Sequence, residues 1–136
     1  MADLDHHREC VDRWLERAAP DASRERLIEL LELGFGAIWR RAHLTLGEVT
    51  LTAIAERVLH HAAQPFPILG ATTIETGGLR CQALGESLNG IEPAELQAGV
   101  RATLVEFLRV LGNLTGDILT PALHAELLRA GSEDVK

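Results

Sequence analysis

The chain is 136 residues long, with 46% hydrophobic and 24% charged residues and a formal net charge of −7. This composition is typical of a single globular domain, 1–136, that is large enough to bury a core, and it excludes a disordered chain. The acidic excess argues against a nucleic-acid partner, because DNA- and RNA-binding proteins cluster Lys and Arg on one face to displace counterions.

The chain shows no signal-peptide pattern at its start and no apolar run near the roughly 18 to 20 residues that cross a bilayer. We therefore expect a cytoplasmic protein with no membrane partner. The two cysteines, Cys10 and Cys81, lack metal-ligand spacing and are expected to be reduced thiols. Aromatic residues make up only 4% of the chain, so its core is aliphatic, which favours helices over strands.

Apolar residues at helical intervals predict a first helix near 4–18, inside an N-terminal segment that covers 1–20. Trp14 is the largest apolar side chain of this helix and its expected anchor on the rest of the domain. Pro20 ends the helix, because proline cannot continue the backbone hydrogen bonding.

The segment 23–63 predicts a pair of helices, near 23–42 and 48–63. Gly34 and Gly36 interrupt the first of them, and each glycine costs roughly 1 kcal/mol relative to alanine inside a helix. The apolar spacing nevertheless continues beyond both glycines. We therefore expect one continuous helix through this point.

The segment 71–82 differs in kind, because β-branched residues precede a Thr-Gly-Gly turn signal. It predicts one short β-hairpin. Two strands alone are marginal in water, so the hairpin is expected to pack on helices or to pair with a second copy. The following residues, 82–89, are expected to form one or two helical turns.

Apolar residues recur in alternating steps of four and three in the region 93–130, which predicts a long central helix near 93–129. Gly116 and the Thr120–Pro121 pair leave two alternatives open, a helix kinked at 116–121 or two helices broken there. The apolar circumference exceeds what three short helices cover, so we predict a homodimer through this seam. The predicted dimer interface consists of Val100, Leu104, Phe107, Leu111, Leu114 and Ile118.

These elements together predict a mainly α fold, α+β by element count. It is expected to be a helical bundle of about four main helices with one short β-hairpin, and to be dimeric.

Histidines are the first candidates for ligands. His60 and His61 could bind a metal, but adjacent residues cannot share a helix face and an HExxH pattern is absent, so surface histidines are the simpler interpretation. His124 lies on an amphipathic stretch and is a candidate ligand for haem, a metal or a small molecule. No motif indicates a particular cofactor.

The stretch 112–116 places polar Asn113 and Thr115 between two glycines. One interpretation is a helix crossing or the floor of a small-ligand pocket, with Asn113 and Thr115 as hydrogen-bonding groups. The other is a helix end, with a glycine after the last turn and Asn and Thr as turn formers. The sequence leaves both interpretations open.

No catalytic motif is evident, because the serines lack a nucleophile-elbow context and the glycines match no phosphate-binding loop. We therefore expect a non-enzymatic regulatory or sensory module that acts through homodimerisation and through contact with an unidentified signalling protein. A haem, metal or small-ligand sensor is the alternative. A small enzyme that uses Cys81 or a histidine is the third hypothesis.

Overall fold

The structure is a computed structural model that describes residues 2–18, 23–65, 73–75, 78–80 and 92–130. The mainly helical bundle predicted from the sequence is confirmed in this part of the chain, whereas the single-domain boundary stays a prediction. The helices are α1 (Ala2–Ala18), α2 (Arg24–Leu46), α3 (Glu48–Ala63), α4 (Pro93–Thr115) and α5 (Thr120–Arg129).

Two three-residue strands, β1 (Thr73–Glu75) and β2 (Gly78–Arg80), pair antiparallel, with Ile74 opposite Leu79. The hairpin predicted over 71–82 is described only as these two segments, because its turn and both of its ends lie outside the described residues. The helical turns predicted at 82–89 lie outside them as well.

Helix α2 is continuous through its glycines, as predicted, and extends four residues beyond the predicted end at 42. Ser23 caps its start, where the side-chain oxygen accepts a hydrogen bond from the backbone N–H of Arg26 at 3.1 Å. Gly34 is required for packing, since a Cβ there would lie 2.9 Å from the ring of Trp14. The missing side chain therefore makes room for the Trp14 ring against α2.

Trp14 anchors α1, as the sequence predicts. The indole is almost fully buried, and its Nε1–H donates to the carbonyl oxygen of Ala130, just after α5, at 2.6 Å. This hydrogen bond satisfies the single polar atom of the ring inside the core. Helix α1 is thus held by the far end of the described chain.

The region 93–130 consists of two helices, which decides between the alternatives that the sequence left open. Helix α4 ends in a Schellman motif: Gly116 has a left-handed φ of 61°, and the N–H of Asp117 bonds to the carbonyl of Gly112 at 2.7 Å. Asp117 also has a positive φ, of 64°, a conformation that Asp tolerates better than most residues. Two successive left-handed residues turn the chain before α5 begins.

Helix α4 is the centre of the bundle, and α1, α2, α3 and α5 all contact it. Four residues of the predicted seam are fully buried inside this one chain, and Phe107 stacks on Phe35 of α2 with ring centroids 4.2 Å apart. The reason given above for a dimer, that the short helices could not cover α4, is therefore wrong. The four buried seam residues are Val100, Leu104, Phe107 and Leu111.

Candidate functional site

The predicted ligand-binding residues Asn113 and Thr115 both belong to the end of α4. Asn113 is exposed. The hydroxyl of Thr115 donates to the carbonyl of Leu111 at 3.0 Å and accepts from the backbone N–H of Leu119 at 3.4 Å. These bonds support the helix-end interpretation of the motif, and ligand binding by either residue stays a prediction.

His124 of α5 forms a buried contact that the sequence did not predict. Its Nε2 lies 2.8 Å from Nδ1 of His7 on α1, and the two rings meet edge to face. His7 is 1% exposed, so one ring must donate and the other accept for both nitrogens to be satisfied. The two residues are 117 positions apart, and nothing local in the sequence signals that they meet.

The surroundings of this pair keep His124 neutral. Burial, followed by the neighbouring His7 and His6, lowers the pKa of His124 from 6.5 to about 4. His7 also approaches Gly112, where a Cβ would lie 3.4 Å from its Nε2 and 2.8 Å from Oδ1 of Asp117. The absence of a side chain at Gly112 therefore makes room for His7 of α1 and for Asp117 of the α4–α5 turn.

Cys10 lies beside the same pair, with its Sγ 3.9 Å from the carbonyl oxygen of His124. Burial raises the pKa of this thiol to about 11, only partly offset by Arg13. The thiol stays protonated at neutral pH, so Cys10 is a structural residue and a poor nucleophile. Cys81, the cysteine of the enzyme hypothesis, lies outside the described residues.

His60 and His61, the predicted metal ligands, are both exposed near the end of α3. Within the described residues, no group of three or more His, Cys, Asp or Glu side chains could hold a metal ion. Adjacent positions on a helix belong to different faces, and of the two histidines only His61 lines the groove between α3 and α4.

This groove has a volume of about 510 Å³ and is the feature that sequence analysis missed. It could have been found from spacing, because its α3 residues recur at 53, 54, 57, 58 and 61, the period of one helix face. The lining residues are Ala53, Ile54, Arg57, Val58, His61, Glu106, Arg109, Val110 and Leu114.

The charged side chains of the groove differ in their ion pairing. Arg109 donates twice to the carboxylate of Glu106, at 3.0 and 2.6 Å. This hydrogen bond lowers the pKa of Glu106 more than its burial raises it, and nearby His61 lowers it slightly further. Arg57 makes no ion pair among the described residues.

The direction of α3 relative to α4 follows from the residues that line the groove. His61 lies near Glu106, and the same groove also reaches Leu114, eight residues further along α4. A parallel α3 would separate Ala53 from Leu114 by about 24 Å at 1.5 Å per residue, so the two helices run antiparallel. The start of α3 therefore lies beside the end of α4.

The exposed large hydrophobic residues of the described chain all lie at that end of the bundle. Two flank the α2–α3 junction and two lie at or after the end of α4, and their exposed fractions run from 59% to 86%. We call this surface the apolar end. It consists of Leu44, Val49, Leu114 and Ile118.

In the described part of the chain, no helix combines the length and the apolar character needed to cross a bilayer. Comparison of the chain with protein-family models, with curated proteins and with solved structures finds no match.

Proposed function

We propose that the chain is a non-enzymatic regulatory module that acts through protein–protein contact, with a second copy of itself as the partner at the apolar end. The observation that carries this proposal is the placement of four exposed large hydrophobic residues at one end of the bundle. A cytoplasmic setting and a further signalling partner belong to the same proposal.

The physical basis is the cost of apolar surface in water. Burying such surface contributes about 25 cal/mol for each Å² removed from water, so a shared contact between these side chains favours association. Single exposed leucines are common, but contiguous exposed apolar surface marks interaction sites. A second copy is the simplest complementary partner, because a two-fold axis brings the same patch onto itself.

This proposed interface keeps only two residues of the predicted seam, Leu114 and Ile118, since the other four are buried. Val49 joins them because α3 begins beside the end of α4. The interface therefore lies across the bundle end and does not run along α4.

Sedimentation velocity over a range of protein concentrations tests the proposal. We expect a dimer with a micromolar dissociation constant, weakened at least about tenfold in the Val49→Ser/Ile118→Ser double variant. Ile118→Leu is the matched control, because it keeps an apolar side chain at the same site and should leave the dissociation constant unchanged.

A wild-type chain that stays monomeric at every concentration would refute the proposal, as would a double variant that dimerises like the wild type. Both substituted side chains are exposed, so the circular dichroism spectrum of the double variant should match that of the wild type. This match separates loss of the interface from loss of the fold.

A second candidate function, a small-ligand sensor, is favoured by one specific observation, the groove between α3 and α4. Its volume lies within the range of small-molecule sites in proteins.

A further inference from the structure

We infer that the α3–α4 groove is a binding site for a small amphipathic monoanion, a single carboxylate carried on an apolar chain. This inference goes beyond the proposed dimerisation, and the two surfaces share one residue, Leu114. It stands on the distribution of charged and apolar side chains along the groove, on its charge balance and on its length.

The groove is polar at one end and apolar at the other. Because α3 and α4 run antiparallel, His61 lies across from Glu106, and Ala53 lies across from Leu114. Arg109 lies towards the His61 end, and Arg57 lies midway along the α3 side, across from Val110. The remaining side chains, Ile54, Val58 and Val110, form an apolar floor that continues to Leu114.

The groove favours an anion. It carries two arginines and a histidine against one glutamate, on a chain whose net charge is −7. Glu106 neutralises Arg109 through two hydrogen bonds, which leaves Arg57 to pair with an incoming carboxylate. An arginine guanidinium matches a carboxylate in planar, bidentate geometry.

The same glutamate limits the charge of the ligand. A second negative charge on the head group would have no arginine left to pair with, because Arg109 is already paired with Glu106. A phosphate monoester or a dicarboxylate is therefore a poorer ligand than a monocarboxylate.

The length of the groove sets the size of the apolar chain. Residues 54–61 of α3 span about 10 Å and residues 106–114 of α4 about 12 Å, at 1.5 Å per residue. An extended medium-length alkyl chain spans this distance from a head group at the His61 end, which the long side chain of Arg57 can reach, to Leu114. Each of its methylenes would be transferred from water onto the apolar floor.

Isothermal titration calorimetry with sodium decanoate, kept below its micellar concentration, tests the inference. We expect one site with a dissociation constant below about 1 mM. Decylammonium, which has the same chain and the opposite charge, and acetate, which has the head group alone, should both bind at least about tenfold more weakly.

One variant tests the contact with the head group, and a second tests the contact with the apolar chain. Arg57→Gln should weaken decanoate binding at least about fivefold, whereas Arg40→Gln, which removes an exposed arginine of α2 outside the groove, should leave it unchanged. Val110→Ser should weaken binding through the chain. Neither Arg57 nor Val110 belongs to the apolar end, so neither variant alters the proposed dimer interface.

Absence of decanoate binding by the wild-type chain would overturn the inference. So would equal binding of decylammonium, or an Arg57→Gln variant that binds decanoate as the wild type does. Chemical-shift changes in amide NMR spectra should concentrate at 53–61 and 106–114, and changes centred elsewhere would also overturn it.

Discussion

The two halves of the apolar seam on α4 have the same sequence spacing and opposite surroundings. Up to Leu111 the seam is buried by the four other helices, whereas Leu114 and Ile118 are 59% and 81% exposed. The spacing predicts which residues share a face. It does not predict how far along the helix neighbouring elements reach, because that depends on where α3 begins and where α5 turns away.

The largest expected contrast between the two halves is in stability. Phe107→Ala should lower the free energy of unfolding by about 3–5 kcal/mol, because it removes a ring stacked on Phe35 and leaves a cavity in the core. Ile118→Ser should change it by less than about 0.5 kcal/mol. Urea unfolding followed by circular dichroism measures both values.

Phe107→Leu keeps much of the buried volume and should give a smaller loss than Phe107→Ala, which provides a measurement if the alanine variant does not fold. Equal effects of Phe107→Ala and Ile118→Ser would contradict the division of the seam into a buried and an exposed half.

A smaller difference in stability is expected between alanine substitutions at two glycines of α2. A Cβ at Gly34 would press on Trp14 at 2.9 Å and on Leu104 of the buried seam at 3.2 Å, so Gly34→Ala should cost about 1–3 kcal/mol. At Gly36 the nearest atom that a Cβ would meet is the tip of Arg40, at 3.6 Å. Gly36→Ala should therefore stabilise the chain by about 0.5–1 kcal/mol through helix propensity.

Thermal unfolding of the two variants measures this difference. A Gly34→Ala variant as stable as Gly36→Ala would mean that the Trp14 ring does not pack closely on α2 at this point.

The smallest effect concerns the His7–His124 pair. The folded chain lowers the pKa of His124 from 6.5 to about 4, so the unfolded chain binds the proton more readily. The stability contributed by the neutral ring is fully present above pH 6.5 and is lost as the pH falls towards 4. The loss should reach about 1–2 kcal/mol, less than for a fully buried group, because the half-buried ring remains partly hydrated.

Carboxylates also titrate below pH 5, so the measurement is the difference between the wild type and His124→Gln across the range from pH 7 to 4. The glutamine variant should lose less stability on acidification. Identical pH profiles would show that His124 does not titrate differently in the folded chain.

The helices could be predicted because their apolar spacing is local. The start of α2 at Ser23, the continuity of α2 through Gly34 and the break after Thr115 all follow from residues within a few positions of one another. For the break after Thr115, the sequence also allowed one kinked helix. The Schellman motif separates the two helices, because Gly116 and Asp117 both adopt positive φ.

The sites could not be predicted to the same degree, because they depend on contacts between distant segments. His7 meets His124 only when α1 packs on α5, and Arg57 approaches Glu106 and Arg109 only because α3 runs antiparallel to α4. The argument for a dimer through the whole seam was wrong for the same reason. Counting the apolar circumference of α4 does not reveal that Phe35 and its neighbours on α2 already cover it.

The hydrogen bond from Trp14 to the carbonyl of Ala130 has a consequence for the order of events during protein synthesis. Helix α1 is made before α5, yet the acceptor of its Trp14 indole and the ring partner of His7 are both supplied by the segment around α5. Until that segment has emerged from the ribosome, α1 lacks the part of its docking site that α5 provides, and Trp14 lacks its acceptor. Docking of α1 is therefore a late step, which closes a loop of more than a hundred residues.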